Sequence, residues 1–133
     1  MASDFRELRV WRVARELRDD VFAWCDGLPS DERFRLRDQM IRASRSITAN
    51  IAEGHGRYSY REGVRYAHQA RGSLSELMDH LDVARGCGYM SAEEVEAWFE
   101  RTQNLARLLN GYIRFLRRSA SPGPDSRIHQ RTD

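Results

Sequence analysis

Lysine is missing from this chain: all 22 basic residues among its 133 are arginine. GC-rich codon usage produces that bias with no functional meaning. The other reading is physical, since a guanidinium forks onto carboxylates and phosphates and stacks on aromatic rings as an ammonium does not. Proline is scarce, with three residues, and alternating Val/Ile/Thr runs are absent; together these exclude a sheet protein. Net charge is almost absent as well. The 22 basic residues face 20 acidic ones, for a formal +2, which excludes a supercharged polyanion binder. Only two cysteines occur, Cys25 and Cys87, without His or Cys neighbours at ligand spacing, so a zinc site is excluded. They read as free thiols of a reducing, cytoplasmic compartment. No apolar run is long enough for a bilayer, and the opening residues carry no apolar leader.

Catalytic signatures are missing too. There is no phosphate loop and no nucleophile elbow. His55, His68, His80 and His129 never fall into a Glu-x-x-His spacing. Glu76 and His80 are four apart, but no second helix repeats the pair, as a di-iron bundle requires. The expectation is a protein that is not an enzyme and has neither metal nor cofactor.

What is present is helical periodicity. A 133-residue chain of ordinary apolar content makes one domain. Leu8, Trp11, Ala14, Leu17, Val21, Trp24 and Leu28 recur every three or four residues, which predicts a first helix from about Asp4 to Cys25. Asp4 and Glu7 form its capping pair, and Gly27-Leu28-Pro29 ends it. A second helix from about Asp31 to Glu53 buries Leu36, Met40, Ala43, Ile47 and Ile51. Ser30 is its N-cap, and Gly54 and Gly56 are its left-handed stop.

Ser59 and Glu62 open a third helix, Tyr60 to Arg85, with Val64, Ala67, Ala70, Leu74, Leu77/Met78, Leu81 and Ala84 inward and Gly86 and Gly88 beyond its end. Ser91 and Glu94 open a fourth, Ala92 to Arg118. Its stripe is Val95, Trp98/Phe99, Thr102, Leu105/Ala106, Leu109, Tyr112/Ile113 and Leu116, with acids first and arginines last, as the helix dipole favours. Short connections impose an all-α, antiparallel up-down-up-down four-helix bundle over residues 1–118. Residues 119–133, with Pro122-Gly123-Pro124, read as a disordered tail.

Three groups of polar residues stand out against this pattern. On the second helix Gln39, Ser46, Asn50 and Glu53 share a strip beside the core face, and Ala49 and Ala52 lie behind it. Such a face is either an ordinary solvated one or is buried against a helix of another subunit. On the third helix Arg71 lies at the edge of the core stripe beside Gly72, a mid-helix glycine that costs about 1 kcal/mol against alanine. Arg71 either snorkels to water or pairs with a carboxylate, for which Glu53 and Glu76 are the candidates. Arg57, Arg61 and Arg65 are spaced by four, near His68 and with Tyr58 and Tyr60 interleaved. That ladder is either a solvated face balanced by Glu62 or a surface for phosphates and stacked bases.

Ser46-Ile47-Thr48-Ala49-Asn50-Ile51-Ala52-Glu53-Gly54 resembles the S-I-P-A-N-I-A-E-G signature of the bacterial four-helix bundle proteins, also called 23S ribosomal RNA intervening-sequence proteins. Phe5-Arg6-Glu7-Leu8-Arg9-Val10-Trp11, Ala70-Arg71-Gly72-Ser73-Leu74-Ser75-Glu76-Leu77, Leu81, Ala84 and Gly88-Tyr89 also fit, in order, over about residues 5 to 116. Thr48 departs from the usual proline. The resemblance implies a four-helix bundle assembled as a ring-like homopentamer. It also implies kinship with proteins encoded inside 23S rRNA gene insertions. More distantly related bundles are accessory subunits of retroelement reverse transcriptases, contacting RNA or DNA. Asn50, Glu53, Arg71 and Gly72 fall within both the family motifs and the odd polar groups, which favours an assembly role for Ser46, Asn50, Glu53, Arg71, Gly72 and Glu76. The expected partners are further copies of the chain, RNA or DNA through Arg57, Arg61 and Arg65, or a partner protein; no membrane is expected.

Overall fold

The computed structural model describes residues 4–120. Four helices account for most of them: α1 Arg9–Cys25, α2 Leu36–His55, α3 Tyr60–Gly86 and α4 Ala92–Ala120. Short 3-10 turns precede α1 (Phe5–Glu7) and α2 (Ser30–Glu32). The helices run antiparallel, up-down-up-down, with α2 on α3 and α3 on α4 as the most extensive pairings. No strand occurs among the described residues. Most of the inward stripes meet in a main core, where Leu17, Met40, Ile47, Leu74, Leu81 and Leu105 are essentially without solvent contact, and Ala67, Ile113 and Leu116 form a second, smaller cluster with Tyr60, Val64 and Tyr112. The two fully buried hydroxyls donate within their own helices, Ser44 to the Ile41 carbonyl at 3.0 Å and Thr102 to the Phe99 carbonyl at 2.8 Å. Neither is left unsatisfied in the apolar interior.

The helix starts differ from the expected ones for a tertiary reason. Asp4 does not open α1. Its carboxylate accepts from the Arg6 amide at 2.8 Å and caps the Phe5–Glu7 turn, which lets Phe5 pack edge-on against Trp11, ring centroids 5.0 Å apart. Ser30 does not cap α2 either: Ser30–Glu32 forms its own turn, and α2 begins at Leu36. Glu32 is held in place by Tyr89, whose hydroxyl donates to Oε2 at 2.6 Å from the loop before α4, while Oε1 accepts from the Leu36 amide at 3.3 Å. Holding Glu32 there leaves Arg33–Arg35 as a separate bend with Phe34 out in solvent. Ser91 and Glu94 form the expected reciprocal box at 3.1 and 2.9 Å. Ser59 accepts from the Glu62 amide at 3.1 Å. Ser119 and Ala120 continue α4, so the tail expected from 119 loses its first two residues to the helix. Positions 121–133 lie outside the described residues.

Gly54 and Gly56 are not left-handed stops. Among the described residues Gly88 alone has positive φ, at 81°. Gly56 ends α2 in right-handed geometry, donating to the Ala52 carbonyl at 3.2 Å. Gly54 is buried inside α2. A Cβ there would stand 2.8 Å from Tyr66 Cβ and 3.3 Å from the Gly63 carbonyl oxygen. One on Gly63 would stand 3.4 Å from Leu116 Cδ1 and 3.5 Å from the Gly54 carbonyl oxygen. The two glycines form a backbone-to-backbone seam, and it sets where α3 leaves α2.

Candidate nucleic-acid interface

The seam fixes the surroundings of the arginine ladder. Only four residues, 56–59, link α2 to α3, so Arg57 is held at the corner and is not on α3 with Arg61 and Arg65. From there its guanidinium donates to the Tyr66 hydroxyl at 2.5 Å and pairs with Glu53 at 2.8 Å. Its carbon lies 4.9 Å from the centre of the Tyr66 ring. Arg65 comes to the same ring at 4.7 Å and pairs with Glu62 at 3.0 Å. Arg57 and Arg65 therefore converge on Tyr66, a residue the sequence pattern did not single out, while exposed Arg61 stands one turn before Arg65. The Arg65 hydrogen bond holds the Glu62 carboxyl below its ordinary value.

Beside this cluster Tyr58 is fully exposed. A hollow of about 240 Å³ at the same end of the bundle is lined by Arg57, Tyr58, Tyr60, Tyr112 and Phe115, with Gly54 and Gly63 at its floor. Aromatic faces next to guanidiniums are the combination that stacks bases and holds phosphates.

The polar residues expected to act in assembly separate into two places. Ser46 and Ser73 bridge α2 and α3, oxygen to oxygen, at 2.7 Å. Asn50 donates to the Ser46 carbonyl at 2.9 Å and to its hydroxyl at 3.1 Å. An open groove of about 470 Å³ runs along this face between Arg42, Arg45, Ser46, Ala49 and Glu76. Arg71 faces the other way, toward α4. It is not paired with Glu53, which is taken by Arg57, nor with Glu76, which lies 3.3 Å from His80. Its guanidinium donates to Asn110 Oδ1 at 2.7 Å and reaches His68 Nδ1 at 2.9 Å. A neutral amide does the work expected of a carboxylate because Arg71 is only half-buried and keeps part of its hydration. Gly72 lies between these two faces, exposed, with nothing within 4 Å of where a Cβ would be. Within one chain nothing packs closely on it.

Among the described residues no three His, Cys, Asp or Glu side chains gather as a metal site, and no helix is long and apolar enough to cross a membrane. Cys25 is buried and Cys87 exposed, both as free thiols.

These features define a class first: an all-α antiparallel bundle whose distinctive side chains are arginines, tyrosines and small polar residues on its surface. The family follows from comparison. The sequence model of the 23S rRNA-intervening sequence protein family matches residues 6–111, and the chain belongs to that family. A solved structure, described as a protein with unknown function from the S23 ribosomal protein family of Bacteroides thetaiotaomicron VPI-5482, has the same fold. It superimposes with a TM-score of 0.73 at 21% identity, covering 79% of this chain and 95% of that one. Among curated proteins none matches the sequence. At Thr48, where the resembling motif has proline, the hydroxyl donates to the Arg45 carbonyl at 3.0 Å and accepts from Arg18 of α1 at 3.3 Å. The departure thus supplies a tie between α1 and α2.

Proposed function

We propose that the chain is a non-catalytic bundle that self-associates, as a pentamer, and holds RNA or DNA weakly and with little sequence preference. The observation that carries the reading is the convergence of Arg57 and Arg65 on Tyr66 beside fully exposed Tyr58. The family name adds a link to insertions in 23S rRNA. Glu53 and Glu62 neutralise part of the cluster, and the chain's net charge is +2, so one subunit attracts a polyanion feebly. Repetition around an oligomer raises the effective concentration of such contacts. Self-association uses the α2–α3 face, where Ser46, Ala49, Asn50 and the open Gly72 let another helix approach.

Fluorescence anisotropy with labelled single-stranded RNA and duplex DNA tests the reading. Each phosphate contact contributes a slope of about 0.7 in log affinity against log salt for single strands and about 0.9 for duplex. Replacing Arg57, Arg61 and Arg65 together by Ala flattens that slope while circular dichroism stays unchanged. Light scattering that gives a 15.5 kDa particle refutes the assembly. A second reading, a protein-interaction scaffold or accessory subunit, for example of a reverse transcriptase, is favoured by the α2–α3 groove. An assembled protein that binds no nucleic acid at low salt selects it.

A further inference from the structure

The hollow at the glycine seam has two unlike lips. At one stands Arg57, whose charge is answered by Glu53 at 2.8 Å and whose guanidinium carbon sits 4.9 Å from the centre of the Tyr66 ring. At the other stands exposed Phe115 of α4, directly after Arg114 and one turn before Arg118. Arg107, Arg114 and Arg118 follow one another at seven and four positions, which puts them on one face of α4, and all three are exposed. From Arg101 to Ala120 the helix holds no Asp or Glu. Among the described residues no ion pair engages any of the three. Cations near a helix C-terminus complement its dipole, but that effect is confined to the last turn. Arg107 and Arg114 lie before it, so the dipole does not account for the stripe.

The hollow offers ring faces over bare backbone. Tyr58, Tyr112 and Phe115 are among its walls, and Gly54 and Gly63 put no side chain into its floor. Its volume, about 240 Å³, is below the roughly 300–1,000 Å³ of pockets for drug-sized ligands, and suits one planar ring system. We infer that the hollow seats one unpaired base of a single-stranded polynucleotide, whose phosphates lie on Arg114 and Arg118. The inference rests on the nucleic-acid reading above and narrows it to single strands. Glu53 already compensates Arg57, so the strand's charge is drawn to the α4 lip, where nothing competes for the guanidiniums. Every base has a face to stack on an aromatic ring, so the seat takes any of them. A base held in a duplex keeps its faces covered by its neighbours and does not enter.

The test is fluorescence anisotropy of the full chain with three labelled probes: a short oligothymidylate, its duplex with oligodeoxyadenylate, and an abasic oligomer of the same length and charge. The expected order is the single strand bound at least fivefold more tightly than either of the others. Duplex carries the denser charge, so a purely electrostatic surface gives the opposite order. Phe115→Ala and Tyr58→Ala change exposed positions. Each weakens oligothymidylate about five- to hundredfold and leaves the abasic oligomer and the circular dichroism unchanged. Arg114→Gln together with Arg118→Gln lowers the salt slope for the single strand by about 1.4, two contacts at about 0.7 each. Duplex or abasic oligomer bound as tightly as the single strand, or both ring variants without effect, overturns the base seat and leaves the nucleic-acid reading standing. An unchanged salt slope in the double variant overturns the path over α4. Thymidine 5′-monophosphate, compared with inorganic phosphate by NMR at the Gly63 amide, separates the two failures. An amide moved by the nucleotide alone, in a protein that binds no oligonucleotide, upholds the base seat and sinks the nucleic-acid reading. An amide moved by neither overturns the seat.

Discussion

Within a single chain, two Gly→Ala changes 18 residues apart carry opposite expected signs. In both cases alanine is the better helix former, by about 0.8–1 kcal/mol in a helix interior and less near an end. At Gly54 the new methyl would sit 2.8 Å from Tyr66 Cβ, with the Gly63 carbonyl oxygen at 3.3 Å. Neither is the free end of a flexible side chain, so α2 and α3 must move apart at their seam. Overpacking of this kind costs about 1–3 kcal/mol. Gly54 is one residue from the end of α2, so the offsetting propensity gain is small. The net expectation for Gly54→Ala is a loss of about 1–2 kcal/mol. At about 4 °C per kcal/mol for a domain of this size, the Tm falls by about 4–8 °C. At Gly72 nothing lies within 4 Å, so within a single chain Ala adds about 0.5–1 kcal/mol of stability. Urea titration of both variants at one protein concentration measures the difference. Gly54→Ala as stable as the parent refutes the seam. Gly72→Ala less stable than the parent shows that a neighbouring subunit packs on that position, and light scattering of the variant then shows the assembly loosened.

Arg71→Ala removes a half-buried, charge-assisted hydrogen bond to Asn110 and is expected to cost about 1.5–3 kcal/mol by urea titration, with the Glu53–Arg57 pair undisturbed. Tyr89→Phe removes the hydroxyl that holds the Glu32 carboxyl below its ordinary 4.5. A lowered folded-state pKa gives stability that is present above 4.5 and lost as pH falls through the folded value, so the variant loses part of that acid limb in melts below pH 4.5, the Leu36 amide and Arg35 still lowering the carboxyl. At the alkaline end the same bond pushes the Tyr89 phenol up to about 12. Native protein should thus show Tyr89 ionising late in an ultraviolet titration, alongside Tyr112, whose phenol burial also raises, and the variant loses the Tyr89 contribution. Cys87 is exposed, and Cys25 is buried with its thiol pushed up to about 11 by burial. An aromatic disulfide reagent should modify one thiol per native chain quickly and the second only in denaturant.

The bundle was legible because periodicity at 3.6 reports burial directly. Leu74, Leu77, Leu81, Leu105 and Leu109, each placed inward by spacing alone, are all fully buried. Caps made within one segment, as at Ser91 with Glu94, were legible for the same local reason. What escaped was set between segments. The start of α2 depends on Tyr89, 57 residues beyond Glu32, and no local signal announces that. Gly54 looked like a stop because glycine after an apolar stripe usually is one. Its real partner, Gly63, shows only when two helices are crossed. The ladder Arg57, Arg61 and Arg65 was visible as spacing, but Tyr66 as its meeting point was not, since Arg57 sits on a turn where helical arithmetic fails. For Arg71 the charge rule pointed to a carboxylate, and the fold offered Asn110 from α4, whose approach the sequence does not encode locally, beside His68 one turn earlier on its own helix.

The glycine seam also has a kinetic consequence. Gly54 and Gly63 are nine positions apart, so bringing them together closes a very short loop and loses little chain entropy. The α2–α3 hairpin can therefore form early, each new turn bringing Ile51 and Ile47 into the same cluster as Ala70 and Leu74. α1 and α4 then dock on a template already in register. In such a chain the glycine contact acts as the first tooth of a zipper, and its substitution slows folding more than it speeds unfolding.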